Sequence, residues 1–304
     1  MQTDIMERPA ATRVEELVPS RYALKIGEID VLVISDGVLP LPTETMSTNV
    51  DRETRTAWFT DQFLGPDAFD WALNVLVVRS GDRTILVDAG LGGQFPGFPR
   101  AGQFPKRLEA AGIELSAITD VVLTHMHMDH IGGLLVDEVK DGLRPDVRVH
   151  AAAAEVEFWK APDFSRTVMP SPIPEVLQAT ARQFVAEYGD KLRIFETEHE
   201  VAPGVMVQRT GGHTPGHSVV RLASGNDRLV FAGDALFPVG FEHPDWQNGF
   251  EHDPEEAVQV RVRLMREAAA TGELVVATHL PFPSVGRIGT DGDAFRWIAG
   301  FWDY

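Results

Sequence analysis

Thr124-His125-Met126-His127-Met128-Asp129-His130-Ile131-Gly132-Gly133 follows directly on the apolar run Val121-Val122-Leu123. Three imidazoles and one carboxylate fall within six residues. Those side chains are the ligands that hold a zinc-like ion in a chain without cysteine. The residues between them are apolar, and packing gains nothing from polar groups placed this way. His125 and His127 are two apart and can project to one side, while Asp129 and His130 face a neighbouring point. That spacing suggests two ions, each needing further ligands from elsewhere in the chain.

Working outward, three more blocks offer such ligands. Gly211-Gly212-His213-Thr214-Pro215-Gly216-His217-Ser218 sets a histidine in a glycine-rich turn before an apolar strand. Phe231-Ala232-Gly233-Asp234 sets a carboxylate just after one, and Ala277-Thr278-His279 ends another. Upstream, Val87-Asp88-Ala89-Gly90 closes a strand near the histidine-rich segment. Asp88 there can accept a hydrogen bond from a ligand imidazole and fix its tautomer. Each polar residue comes at a strand end, where loops carry sites on a rigid sheet. His150, His199, His243 and His252 have no such context and read as ordinary surface or core histidines.

Short runs rich in Val, Ile and Leu predict strands at 22–26, 29–34, 75–78, 84–87, 121–124, 147–150, 192–195, 205–208, 218–222, 228–231 and 274–277. Helices are expected at 103–111, 151–159, 174–188, 254–270 and, briefly, 293–299. In the fourth, Asp253 caps and Pro254 takes the first helical position. Strands mixed with helices in this way predict a layered α/β fold. The glycine- and proline-rich stretch 90–105 reads as a long loop at a pocket rim. Residues 1–20 read as a flexible polar arm and 21–304 as a single domain.

The 304 residues contain no cysteine, which excludes disulfides, thiolate ligands and a cysteine nucleophile. The net charge of −18 opposes binding to phosphate backbones and to anionic membranes, so neither nucleic acid nor membrane is expected as a partner. The first twenty residues carry no apolar core of a secretory signal, and no stretch is long enough to span a bilayer; the expected location is cytoplasmic.

Together, the blocks resemble the metallo-β-lactamase-fold hydrolases: an Asp-Ala-Gly after an early strand, the HxHxDH segment, a histidine in a GHTPGH turn, a Gly-Asp and a late histidine. The resemblance implies an αββα sandwich with metals at one edge. It implies His125, His127 and His213 on one ion, Asp129, His130 and His279 on the other, and Asp234 bridging both. His217 is then a histidine beside the ligands rather than one of them. Two divalent ions, zinc foremost with manganese, cobalt or iron as alternatives, would activate a shared water, and Asp129 would orient the nucleophile and return a proton to the leaving group.

Within that superfamily the closest likeness is to the branch of N-acyl-homoserine lactonases and methyl parathion hydrolase. It rests on Ser35-Asp36-Gly37, on 124–133 and on 233–253. Many of those lactonases carry a tyrosine three residues after the bridging aspartate; here Phe237 occupies that place. Phe95, Phe98, Trp159, Phe237 and Phe282 are expected to wall an apolar pocket. The expected substrate is a small uncharged ester or lactone, with phosphotriester hydrolysis as a companion or even the main activity, and a homodimer is an expected assembly. A different class, a mononuclear iron oxidoreductase resembling persulfide dioxygenases, would leave His279 idle. A metal-stabilised binding protein would have a filled coordination shell.

Overall fold

A computed structural model of the chain describes residues 18–292 and 294–301. The arm expected over 1–20 lies almost wholly outside the described residues. Two seven-stranded sheets form the centre of the fold. The first contains β1 (Arg21–Ile26), β2 (Ile29–Pro42), β3 (Ala68–Ser80), β4 (Arg83–Val87), β5 (Asp120–Val122), β6 (Arg148–Ala152) and β7 (Leu192–Phe195), in that spatial order. β1 to β4 form an antiparallel meander; β4 to β7 run parallel. The second contains β8 (Glu198–Ala202), β9 (Val205–Arg209), β10 (Ser218–Ser224), β11 (Asp227–Phe231), β12 (Leu274–Val276), β13 (Gly286–Asp291) and β14 (Ala294–Ala299), again in sequence order. β11 and β12 pair in parallel across the helix Pro254–Thr271.

The layering follows from the two-residue period of strands. In Val75-Leu76-Val77-Val78, Leu76 and Val78 face the second sheet, while Val75 and Val77 face the helices Phe104–Glu109 and Ile173–Tyr188. Val220, Phe231 and Val276 fill the centre between sheets. Their neighbours Val219, Val230 and Val275 pack against Val260, Leu264 and Met265 of the helix Pro254–Thr271. Both faces of each sheet are covered, so the central strands read as unbroken apolar runs rather than alternating ones. The result is the αββα sandwich expected from the sequence.

Some elements differ from the sequence reading. In the segment read as a helix at 293–299, residues Ala294–Ala299 form strand β14, with Phe295 and Trp297 on one face packing against Phe241 and the helix layer. The i, i+2 spacing of those two rings outweighs helical propensity once β13 supplies a partner. β2 and β3 run much longer than their apolar centres, and pair along their length apart from a bulge between Ser35 and Gly37. β8 is an exposed edge strand with few apolar residues, and β13 is rich in Gly, Arg, Thr and Asp. Neither carries a hydrophobic pattern. The helix Arg52–Asp61 is polar, and its signal lies in its cap: Asp51 accepts the Thr54 N–H at 2.8 Å.

The long loop after β4 is tied down by Asp36, beside the β2 bulge. Its carboxylate accepts the backbone N–H groups of Leu91 at 2.8 Å, Gly102 at 3.1 Å and Phe104 at 2.7 Å. Farther on, Gly132 and Gly133 let the histidine-rich segment lie against this loop. A Cβ at either would come within 2.0 Å and 1.9 Å of the carbonyl oxygens of Leu91 and Ala89, respectively. Among the described residues, no helix is long and apolar enough to cross a membrane.

Burial pushes the Asp36 carboxyl up to about 6 from its ordinary 3.8, outweighing the three N–H donors and Arg107. Between those values the folded chain holds a proton at Asp36 that the unfolded chain has lost, so stability falls as pH rises through that window. The expected outcome for Asp36→Asn is a stability deficit that shrinks by about 2 kcal/mol as pH rises from about 4 to 6. Urea unfolding across that range checks it; a deficit that stays constant or grows contradicts it.

Candidate metal centre

All four blocks meet at one edge of the sandwich. β5, β11 and β12 end there, and β10, antiparallel to β11, begins there. His125, His127, Asp129 and His130 leave β5; His213 and His217 precede β10; Asp234 follows β11; His279 follows β12. Neighbouring strand ends therefore bring together side chains far apart in sequence.

The ligand-type atoms fall into two groups. Those of His125, His127, His213 and Asp234 lie within 4.8 Å of one another, as do those of Asp129, His130 and His279. Asp234 stands between the groups. Its Oδ1 lies 3.2 Å from His130 Nε2. Its Oδ2 lies 2.9 Å from His279 Nε2, 3.4 Å from His213 Nε2 and 3.9 Å from His125 Nε2. Asp129 Oδ2 lies 3.7 Å from His130 Nε2 and 3.6 Å from His279 Nε2.

Buried polar atoms crowd the centre. His125 Nε2 is buried with no hydrogen-bond partner among the described residues, and His130 Nε2 and Asp234 Oδ1, also buried, face each other at 3.2 Å. An orphaned buried polar atom normally costs about 1–3 kcal/mol, so this cluster asks for a cation. Burial holds His125, His127 and His213 well below 6.5, which keeps their lone pairs free. Burial also opposes a charge on His130, but Asp234, Asp88 and Asp129 outweigh it and hold that ring well above 6.5. The donor set and its charge thus fit divalent ions.

The outer faces of these rings are held by the fold. His130 Nδ1 lies 2.7 Å from Asp88 Oδ2. Asp88 also accepts the Thr124 N–H and Oγ1–H, each at 2.8 Å, and sits at a φ of 57° that non-glycine residues seldom adopt. His279 Nδ1 donates to the Ala72 carbonyl at 2.9 Å. Asn74 anchors the same turn through its Nδ2, which donates to Thr278 O at 2.8 Å and Leu280 O at 2.7 Å. His217 has both nitrogens engaged: Nε2 accepts the Asp234 N–H at 3.1 Å and Nδ1 meets Thr210 Oγ1 at 2.8 Å. It orients Asp234 instead of offering a ligand.

Glu155 was not singled out by the sequence, yet it joins the two histidine-bearing segments. Its carboxylate accepts the Met126 N–H at 2.8 Å, the Gly216 N–H at 3.0 Å, the Thr214 hydroxyl at 2.6 Å and the Trp159 Nε1–H at 2.8 Å. A glutamate in an apolar helix start gives no warning of this. Arg261, fully buried, similarly pins the segment 244–252: it donates to Pro244 O at 2.8 Å, to Trp246 O at 3.0 Å and to Glu251.

A cavity opens onto the cluster. Its apolar wall comes from Leu39, Leu41, Trp71, Ile173, Leu177 and Phe250, and its polar floor includes Asp129, Asp234 and His279. The wall expected from the sequence lies elsewhere. Phe95 and Phe98 pack on the first sheet's outer core, and Phe282 on the core between sheets. Phe237 is buried beneath the Arg261 guanidinium, 4.3 Å from the ring centre. Trp159 is nearest the site, its ring edge-on to His127 at 5.8 Å. Those rings were drawn into packing, whereas the extended ends of β2 and β3 supply Leu39, Leu41 and Trp71.

The model of the metallo-beta-lactamase superfamily matches residues 69–279. A probable metallo-hydrolase of Mycobacterium bovis is 28% identical over 205 residues, 57% of this chain; the chain spans 60% of that relative's length. Among solved structures, AidC, a dizinc quorum-quenching lactonase in complex with a product, N-hexanoyl-L-homoserine, superposes with a TM-score of 0.86 at 26% identity, covering 94% of this chain and 99% of its own. The hydrolase AbOPH gives 0.83 at 23% identity, with 94% and 99% covered, which shows the shared fold.

Replacing Glu155 with glutamine puts an amide N–H where donors already converge. The expected outcome for Glu155→Gln is a loss of about 2–4 kcal/mol in unfolding free energy, read by urea titration. Unchanged stability would contradict the bridging role.

Proposed function

This chain belongs to the metallo-β-lactamase superfamily, and on that premise we propose that it hydrolyses uncharged acyl lactones, the N-acyl-homoserine lactones foremost, with two divalent ions, most simply zinc. His125, His127, His213 and Asp234 would hold one ion, and Asp129, His130, His279 and Asp234 the other. Such ions supply a water nucleophile at neutral pH and polarise the scissile carbonyl.

One observation carries the substrate class: an apolar cavity on the ligand cluster that keeps one spare amide donor. Asn248 lines the cavity, and its Oδ1 accepts the Phe250 N–H at 3.0 Å, which fixes the amide so that Nδ2 is the free end. A purely hydrocarbon ligand would leave that donor unmet. An acyl chain with an amide or ester oxygen beside the scissile bond satisfies it while Leu39, Leu41, Ile173 and Leu177 cover its methylenes. The likeness to AidC supports this reading.

The chain's own groups then have separate tasks. The wall binds and dries the substrate, which strengthens every polar contact inside. Asn248 orients it. Asp129, whose side chain is 12% exposed on the cavity side of the cluster, holds the proton that the leaving alkoxide collects. Phe237, beneath Arg261 and away from the cavity, takes no part in binding.

The expected outcome of a hydrolysis panel on zinc-loaded protein is fastest turnover of acyl-homoserine lactones, slower turnover of an aryl ester and a phosphotriester, and loss of all three on chelation. Turnover confined to a β-lactam or a glutathione thioester would refute the proposal. Separately, Asn248→Ala is expected to raise KM about three- to tenfold with kcat little changed, because a ground-state hydrogen bond is lost. A fall in kcat at constant KM would remove Asn248 from substrate binding.

A further inference from the structure

We infer that His252, outside the seven ligands, is a positioning residue that sets the tautomer of His127 and turns its Nδ1 lone pair toward the metal; this rests on the metal reading above. His252 is 8% exposed, with Phe158 and Phe164 against its ring at 4.7 and 5.5 Å between centres. That apolar surround favours the neutral ring.

The hydrogen bonds then leave one arrangement. His252 Nδ1 lies 3.1 Å from the carbonyl oxygen of Asp163. A carbonyl only accepts, so Nδ1 carries the proton and Nε2 keeps a lone pair. That Nε2 lies 3.5 Å from His127 Nε2. The contact is long but closes only if His127 donates, which puts the His127 proton on Nε2. Its Nδ1 is then the unprotonated nitrogen, and it faces the cluster, 3.1 Å from His213 Nε2. The backbone reinforces the placement: the His252 N–H donates to the His213 carbonyl at 2.8 Å. One residue thus addresses two ligands of the same group, by its ring and by its backbone.

The other ligand rings have different outer partners. His130 leans on a carboxylate, His279 on a carbonyl and His125 Nδ1 on the Thr124 hydroxyl at 3.1 Å. A neutral imidazole donates at one nitrogen and accepts at the other, and so passes the carbonyl's preference on to His127.

Nitrogen-15 NMR of the zinc-loaded, unmutated protein reads both tautomers directly. The expected result is His252 protonated at Nδ1 and His127 at Nε2; a proton on His252 Nε2 overturns the inference. Variants add a second readout. His252→Phe, which keeps the aromatic ring but no acceptor, is expected to weaken zinc binding about 10–100-fold in chelator competition and to alter the ligand-field spectrum of the cobalt-loaded protein. His252→Gln, which can both accept and donate, is expected to recover most of that loss. Zinc affinity within twofold of the parent in the phenylalanine variant, or equal losses in both, assigns His252 to packing and overturns the inference. A parent protein that takes up no zinc instead overturns the metal reading on which it rests.

Discussion

Buried carboxylates and imidazoles packed at one edge of two sheets are the constraint to which the rest of the fold answers. Asp234 alone meets His130, His279, His213 and His125 within 4 Å. Taking such groups out of water costs several kcal/mol per charge unless each is paired or ligated. The surroundings are built accordingly. Asp88, Asn74, His217 and Glu155 do not line the cavity, yet each turns its polar atoms to a residue of the cluster or to the turn that carries one. Asp36 does the same one layer out, holding the loop against which the histidine-rich segment lies.

Much of this centre is legible in the sequence because its chemistry is local. The spacing of His125, His127, Asp129 and His130 announces ligands, and the apolar run before them announces the strand that presents them. The distant partners are legible because each follows or precedes a strand, and strand ends gather at sheet edges. The layering is legible for a related reason: Val75-Leu76-Val77-Val78 is apolar on both faces, which requires a cover on each side; that one cover is a second sheet is what the resemblance implies.

What stays hidden depends on contacts between distant segments. Nothing local distinguishes Phe95, Phe98, Phe237 or Phe282 from a pocket ring; whether an aromatic faces a cavity or a core is decided by packing of the whole sandwich. Trp71, Leu39 and Leu41 reach the cavity because β2 and β3 run past their apolar centres, an extension fixed by pairing with each other. His252 looks ordinary beside a helix cap until the segment 244–252 is pinned by Arg261. β14 reads as helix until β13 offers it an edge.

The central claim is that Asp234 divides one buried cluster into two ion sites. Anomalous diffraction from crystals of the zinc-loaded protein, collected at the zinc edge, tests it most directly. The account predicts two scattering centres on either side of Asp234, one enclosed by His125, His127 and His213, the other by Asp129, His130 and His279. A single centre, or two that leave His279 or His213 without an ion, would contradict it.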